Sequence, residues 1–251
     1  MLMDEASPGV WLPMLSVALF VSVLNLYVLA LVRGRHGALA NWRRVLLVIS
    51  HPDDESMFFG PTIQALRRVG ARTHILCLSN GDADGLGAVR EKELESARKF
   101  LGVDSLELVN DSKLKDGFKE VWPEETIAAC VEASVRRFDA NIVLTFDAKG
   151  VSGHPNHVAA YRGVRRWAAD MQKVSASPEA WALVTVNPLR KFLNFGDVFA
   201  SFALESHVLV AATSAIEVRR AMSLHRSQLV WYRKLFMVFS RYAYVNSLRR
   251  L

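Results

Sequence analysis

The chain has 251 residues, with 31 Lys or Arg against 25 Asp or Glu and a formal net charge of +6. Once a leading segment is set aside, one domain of roughly 200 residues remains, enough to bury a full core. Two cysteines exclude a disulfide framework, and the basic balance comes without any recognition motif or basic–aromatic repeat, which argues against nucleic acid.

From Ala6 to Val32 no residue is charged. A bilayer core of roughly 30 Å needs about 20 helical residues. Residues 10–32 are therefore expected to form one N-terminal transmembrane helix after a short lumenal segment at 1–9. A cleaved signal peptide fits less well, because Asp4 and Glu5 come first and the apolar run is long. Arg33, Arg35, Arg43 and Arg44 follow it, and a basic juxtamembrane linker is assigned to 33–43. No Lys or Arg precedes the run, so the positive-inside rule puts the bulk of the chain on the cytoplasmic side. Beyond Val32 the chain carries +8, because Asp4 and Glu5 are the sole charges before it. Such a domain is drawn to anionic lipid headgroups.

Past the linker, apolar runs alternate with helical patterns. "VLLVIS" (45–50), "THILCLS" (73–79), "SLELV" (105–109) and "NIVLTF" (141–146) read as short buried strands. Between them "FFGPTIQALRRVG", "AVREKELESARKFLG" and "PEETIAACVEASVRRF" carry helical spacing, the first with a proline suited to an opening turn. "WALVTV" (181–186) and "HVLVAA" (207–212) add strands. A helical tail at 229–251 mixes aromatics with Arg and Lys, and either covers the sheet or lies on a bilayer surface. The alternation implies an α/β fold, a Rossmann-like three-layer sandwich with a mostly parallel sheet over 44–251.

In such sheets the ligand crevice lies outside the carboxyl ends of the strands. "HPDDE" (51–55) follows the first strand directly, and "GVSGHPNH" (150–157) follows the fourth. A catalytic zinc site takes three His or carboxylate ligands and keeps one open position. His51 and Asp54 from the first loop with one histidine of the second would make such a site. Asp53 would then stand beside the metal as base toward its water. His154 would sit near the open side, able to donate to an oxyanion. The competing reading makes "HPDDE" a helix N-terminus, where acidic residues are favoured without any metal. A His-x-x-His pair is also compatible with two polar loop positions. "NGDADGLG" (80–87) fits neither G-x-G-x-x-G nor a P-loop and reads as a pocket-lining loop or a plain turn. "HRSQ" (225–228) either caps the next helix through Ser227 or serves the site.

"HPDDESMFFGPT", "GDADGLGAVREKEL", "GVSGHPNH" and "HRSQLVW", in that order, resemble the PIG-L branch of the LmbE-like zinc de-N-acetylases. That resemblance covers the chain from about Arg44 onward. It implies a hydrolase of GPI-anchor synthesis, held single-pass in the endoplasmic reticulum membrane, that removes acetate from the glycolipid N-acetylglucosaminyl-phosphatidylinositol (GlcNAc-PI). It further implies Zn2+ or another divalent cation on His51, Asp54 and His157, Asp53 as general base and His154 as electrophilic partner. Arg90 would bind the sugar, and Asp111 would contact substrate. Asn156 stands where many relatives carry Asp, which bears on the protonation of His154. Two alternatives keep the fold: a deacetylase of a soluble N-acetylglucosamine conjugate, and a catalytically silent membrane-anchored scaffold.

Overall fold

A computed structural model of the chain describes residues 8–34, 37–171, 177–204 and 208–251. Residues 1–7, Arg35 and His207, which belong to the expected lumenal segment, linker and sixth strand, lie outside the described residues.

The uncharged N-terminal run forms α1 (Pro8–Gly34), and its Pro13–Val32 stretch is long and apolar enough to cross a membrane. Its last turns are not free of the domain. Val28 and Val32 are buried in a small cluster with Val198, Ala211 and Val245. Asn25, buried within the same helix, accepts the backbone N–H of Phe199 at 3.2 Å. This polar position docks α1 onto the helix that carries Phe199.

The domain opens with β1 (Arg44–Ile49), in which every residue after Arg44 is buried. A continuous buried Val/Leu/Ile run marks a strand covered on both faces, as parallel sheets require. Then come α2 (Asp54–Met57), α3 (Gly60–Arg68, with Pro61 in its first turn), β2 (Arg72–Cys77), α4 (Gly87–Leu101) and β3 (Ser105–Leu108). α5 (Glu124–Phe138) leads to β4 (Ile142–Phe146), and α6 (Gly150–Gly153) and α7 (Pro155–Met171) lead to β5 (Glu179–Leu183). The chain continues through α8 (Pro188–Lys191), α9 (Asp197–Leu204), β6 (Val208–Ala211), α10 (Ala215–Leu224), α11 (Trp231–Phe239) and β7 (Val245–Arg250).

Among the described residues the strands form one seven-stranded sheet in the order β3-β2-β1-β4-β5-β7-β6. β1 to β5 are parallel, and β7 runs antiparallel to both its neighbours. α5 and α7 pack together on β1, β4 and β5, while α3, α4 and α10 form the second helical layer. The three-layer α/β sandwich is as expected, and each of the first four strands lies within one or two residues of its expected place. The tail is different. Only Trp231–Phe239 is an α-helix of any length there; residues 245–250 enter the sheet between β5 and β6.

β1 pairs with β2 on one side and β4 on the other. The sheet order therefore reverses between β1 and β4, and the crevice opens outside their carboxyl ends. Both histidine-bearing loops leave from these two ends.

One buried ion pair ties the far edge together. Arg241 Nε lies 3.0 Å from Asp197 Oδ2 as an ion pair, and Asp197 Oδ1 accepts from Arg190 Nε at 2.6 Å, with Arg241 fully buried. Asp197→Ala removes the charge partner of a buried guanidinium, a change that typically costs about 3–5 kcal/mol. Chemical denaturation of the purified variant should show that loss, and a change below about 1 kcal/mol would refute the pairing as a stabilising contact.

Candidate metal centre and active site

The first loop is organised around one carboxylate. Asp54 Oδ2 accepts the backbone N–H groups of Ser50 at 3.0 Å and His51 at 2.9 Å, the two residues that follow β1. That recaptures donors which the sheet ladder no longer uses. Asp53 takes up the turn with φ 113°, in the left-handed half of the map. For a residue with a Cβ this costs on the order of 1–3 kcal/mol and is tolerated where the surroundings fix it. Those surroundings are Glu55, which accepts the Asp53 N–H at 3.1 Å, and His225, whose Nε2 lies 2.6 Å from Glu55 Oε1 with both side chains fully buried.

The second loop winds through Gly150 (φ 58°), Val151 (φ 59°) and Gly153 (φ 76°) before α7 begins. The Gly150 carbonyl accepts from His157 Nδ1 at 3.0 Å. A Cβ on Gly150 would fall 2.8 Å from the His157 Cβ, so both the close approach and the backbone angle call for glycine.

These turns aim ring nitrogens at one point. With His157 Nδ1 donating to Gly150, its Nε2 faces Asp54 Oδ1 at 3.2 Å. His51 Nε2 lies 2.9 Å from Asp116 Oδ1, which accepts its hydrogen, and His51 Nδ1 faces Asp54 Oδ2 at 3.9 Å. Each imidazole thus has one nitrogen anchored elsewhere and the other turned toward the same carboxylate. Two lone pairs and a carboxylate that face each other across a buried site call for a shared positive charge, and a divalent cation satisfies all three. Nitrogen and oxygen donors of this kind suit zinc and several other divalent ions.

Among the described residues, the group of His, Cys, Asp and Glu side chains whose ligand atoms all lie within 4.8 Å of one another is His51, His154 and His157. His154 therefore stands inside the cluster, with its ring centroid 4.9 Å from that of His51 and 5.1 Å from that of His157. Its Nδ1 accepts the Asn156 backbone N–H at 3.3 Å, which leaves Nε2 as the donor. Burial, with the neighbouring His51 and His157, pushes its pKa down to about 4, so the ring is neutral near pH 7. The Asn156 side-chain oxygen accepts from His51 Nε2 at 3.2 Å and from the Gly117 N–H at 3.3 Å.

Charges around the carboxylates are unequal. Burial alone would raise Asp54, but His157 and His51 hold it well below the ordinary carboxylate range. Asp53 is raised by burial, against the opposing pull of Arg233 and Arg90. Arg233 Nη1 donates to Asp53 Oδ2 at 2.6 Å, and Arg90 Nη2 lies 3.6 Å from the same atom. Arg90 also donates to the carbonyls of Pro52 and Gly81 at 2.8 Å each, binding the first loop to the glycine-rich one.

Of the expected site residues, His51, Asp53, Asp54, His154, His157 and Arg90 all meet here. Asp111 stands apart. It accepts the Lys113 N–H at 2.9 Å and lines a polar cleft of about 480 Å³ with Asn80, Asp82 and Asp116. The glycine-rich loop thus does border a pocket. Asp116 and Arg233 were not anticipated, and Gln228 was marked only as part of "HRSQ". Gln228 Oε1 accepts from Arg233 at 2.8 Å, so the "HRSQ" segment reaches Asp53 through Arg233 and Glu55 through His225. Ser227 caps no helix; its N–H and hydroxyl both bind Glu93, at 2.8 and 2.6 Å.

A family model described as PIG-L, GlcNAc-PI de-N-acetylase, matches residues 46–168. The chain is 39% identical to a probable N-acetylglucosaminyl-phosphatidylinositol de-N-acetylase of Schizosaccharomyces pombe, over 82% of this chain and 86% of that protein. It is also 39% identical to the N-acetylglucosaminyl-phosphatidylinositol de-N-acetylase of Bos taurus, over 83% of each chain. In fold it resembles N,N'-diacetylchitobiose deacetylase from Pyrococcus horikoshii, with a TM-score of 0.63, 19% identity and 85% of each chain covered. The seven-stranded sheet, the two loops at its switch point and these relatives lead to one placement: the chain belongs to the PIG-L family of GlcNAc-PI de-N-acetylases.

Proposed function

We infer that this chain hydrolyses the N-acetyl group of GlcNAc-PI to give glucosaminyl-phosphatidylinositol and acetate, the second step of GPI-anchor biosynthesis. The observation that carries the reading is the convergence of His51, Asp54 and His157 beside the strained, buried Asp53. The relatives of that name, matched over most of both chains, support the substrate. In this reading residues 44–251 are the catalytic domain and 10–32 the membrane anchor. The juxtamembrane arginines after the anchor favour an endoplasmic reticulum protein with its domain on the cytoplasmic side. Asn80, Asp82, Asp111 and Asp116 supply the polar cleft that sugar hydroxyls require.

His51, Asp54 and His157 would hold the divalent cation, zinc by family resemblance. Such an ion supplies Lewis-acid polarisation of the acetamide carbonyl and brings the pKa of water down to about 7. Asp53 takes the proton from the attacking water as its oxygen bonds to the carbonyl carbon. His154, neutral with Nε2–H outward, donates to the oxygen that becomes negative. Asp53 returns its proton to the sugar nitrogen as the C–N bond breaks, freeing the amine and acetate. Arg233 and Arg90 both hold Asp53 through Oδ2, which fixes the orientation of the carboxylate. Asp116 orients His51 through Nε2.

Incubation of the purified chain with GlcNAc-PI should release acetate in the presence of metal and stop on chelation. Absence of release from metal-loaded protein would overturn the assignment.

Asp53→Asn should lower kcat by roughly 100- to 10,000-fold with metal content unchanged, as loss of a general base does. His154→Ala should cost roughly 100- to 1,000-fold, the typical loss on removing one oxyanion donor. Asp116→Ala should weaken metal binding by roughly 10- to 100-fold, read by metal titration, because His51 loses the partner that orients it.

A further inference from the structure

Beside the centre, on the His157 side, lies a groove of about 370 Å³ with an almost wholly apolar lining. Its inner wall is Met57 and Phe58, the residues that directly follow the carboxylate motif. The Phe58 ring sits 5.7 Å from the His157 ring and 5.7 Å from that of Phe236, so one side chain separates the centre from the groove. Leu235 and Phe239 of α11 and Phe192 after α8 form the outer walls. Ser152, Lys191 and Arg233 are its polar or charged lining residues, with the Tyr232 ring beside them. Lys191 Nζ bonds the Val151 carbonyl at 3.1 Å and lies 5.5 Å from the Phe236 ring, and Arg233 contacts Asp53. Outward from the centre, the order is reacting carboxylate, cationic rim, apolar channel.

The surroundings are as apolar as the channel. Trp231 is 73% exposed and Leu189 75%, and Leu235, Phe239 and Phe192 are each about half exposed. A water-facing surface rarely gathers large side chains this way. The patch is also continuous with α1. Asn194 Nδ2 donates to the Val238 carbonyl at 2.8 Å, tying the end of α11 to the 3-10 turn Asn194–Gly196, which packs on α1.

We propose that this groove holds an acyl chain of the glycolipid substrate, a reading that rests on the deacetylase assignment above. In an N-acetylglucosaminyl lipid the acetamide carbon lies between the free sugar hydroxyls and the linked inositol phosphate. A centre flanked by a polar cleft at Asp116 and an apolar groove at Phe58 matches that order on both sides. Lys191 and Arg233 stand where the phosphodiester must pass from one medium to the other. The substrate class is thereby narrowed: a headgroup with its lipid is recognised, and a bare sugar conjugate fills only half of the site.

The test uses the full chain held in amphipol, free of detergent micelles, with monomeric substrates below their critical micelle concentrations. GlcNAc-inositol phosphoglycerol without acyl chains is compared with its dibutanoyl and dihexanoyl forms. Wild type should gain about tenfold in kcat/KM for each pair of methylenes that enters the groove. Leu235→Gln and Phe239→Gln, both at half-exposed positions, should flatten that dependence and leave turnover of the chain-free substrate unchanged. The same dependence retained in both variants, or absent from wild type, would overturn the groove. So would variants that lose only binding to phosphatidylcholine vesicles, since that outcome makes the patch a bilayer contact. Calorimetric binding of dihexanoyl phosphatidylinositol reads the groove without chemistry. Chain-dependent binding with no turnover of any substrate would sink the deacetylase reading and keep the groove; turnover without chain dependence does the reverse.

Discussion

The Asp54 carboxylate is the point on which the rest of the site depends. Its Oδ2 is fixed by the two amides that follow β1, and its Oδ1 faces His157 across the sheet's reversal point. A carboxylate pinned by backbone loses none of its placement to side-chain freedom, so each imidazole opposite meets a fixed target. The cost is met in the turns. Asp53 and Val151 both lie in the left-handed region, and Gly150 tolerates no Cβ. Strain on the two loops is balanced by what anchors them: Glu55 with His225 under the first, Thr185 and Lys191 bound to Val151 in the second.

A second layer surrounds Asp53. Burial favours its neutral form, and two guanidinium groups on Oδ2 oppose that. Arg233 comes from α11, and Gln228 holds it. Asp53 is thus held by residues remote in sequence, one of which, Arg233, also lines the apolar groove.

The residues that converge at the candidate site were legible because they are dense: "HPDDE" and "GHPNH" put several donors into a few positions directly after buried strands. Asp116 and Arg233 carry no such mark. Asp116 lies in the irregular stretch between β3 and α5, where no periodicity ranks one acid above another, and Asp111 five residues earlier looked as good. β7 escaped for a different reason. Its buried Asn246 and Ser247 break the apolar pattern, and their burial is compensated by specific bonds: Asn246 to Thr62 and Phe58, Ser247 to Arg241. A strand held by polar pairing does not read as hydrophobic. The aromatic and basic residues of 231–239 then suggested one continuous helix where the chain in fact turns back into the sheet.

The insertion of β7 between β5 and β6 orders assembly in time. Synthesis runs from the amino end, so β1 to β5 can pair and bring the metal donors together while residues beyond 230 are still missing. β6 takes its place in the sheet through residues 245–250, and α11 packs on the turn at 241–243 that precedes them. A chain ended before residue 230 would keep Arg90 beside Asp53 but lack Arg233, and the apolar groove would lack Leu235, Phe236 and Phe239. The surroundings of Asp53 are therefore completed by residues near the carboxyl end of the chain.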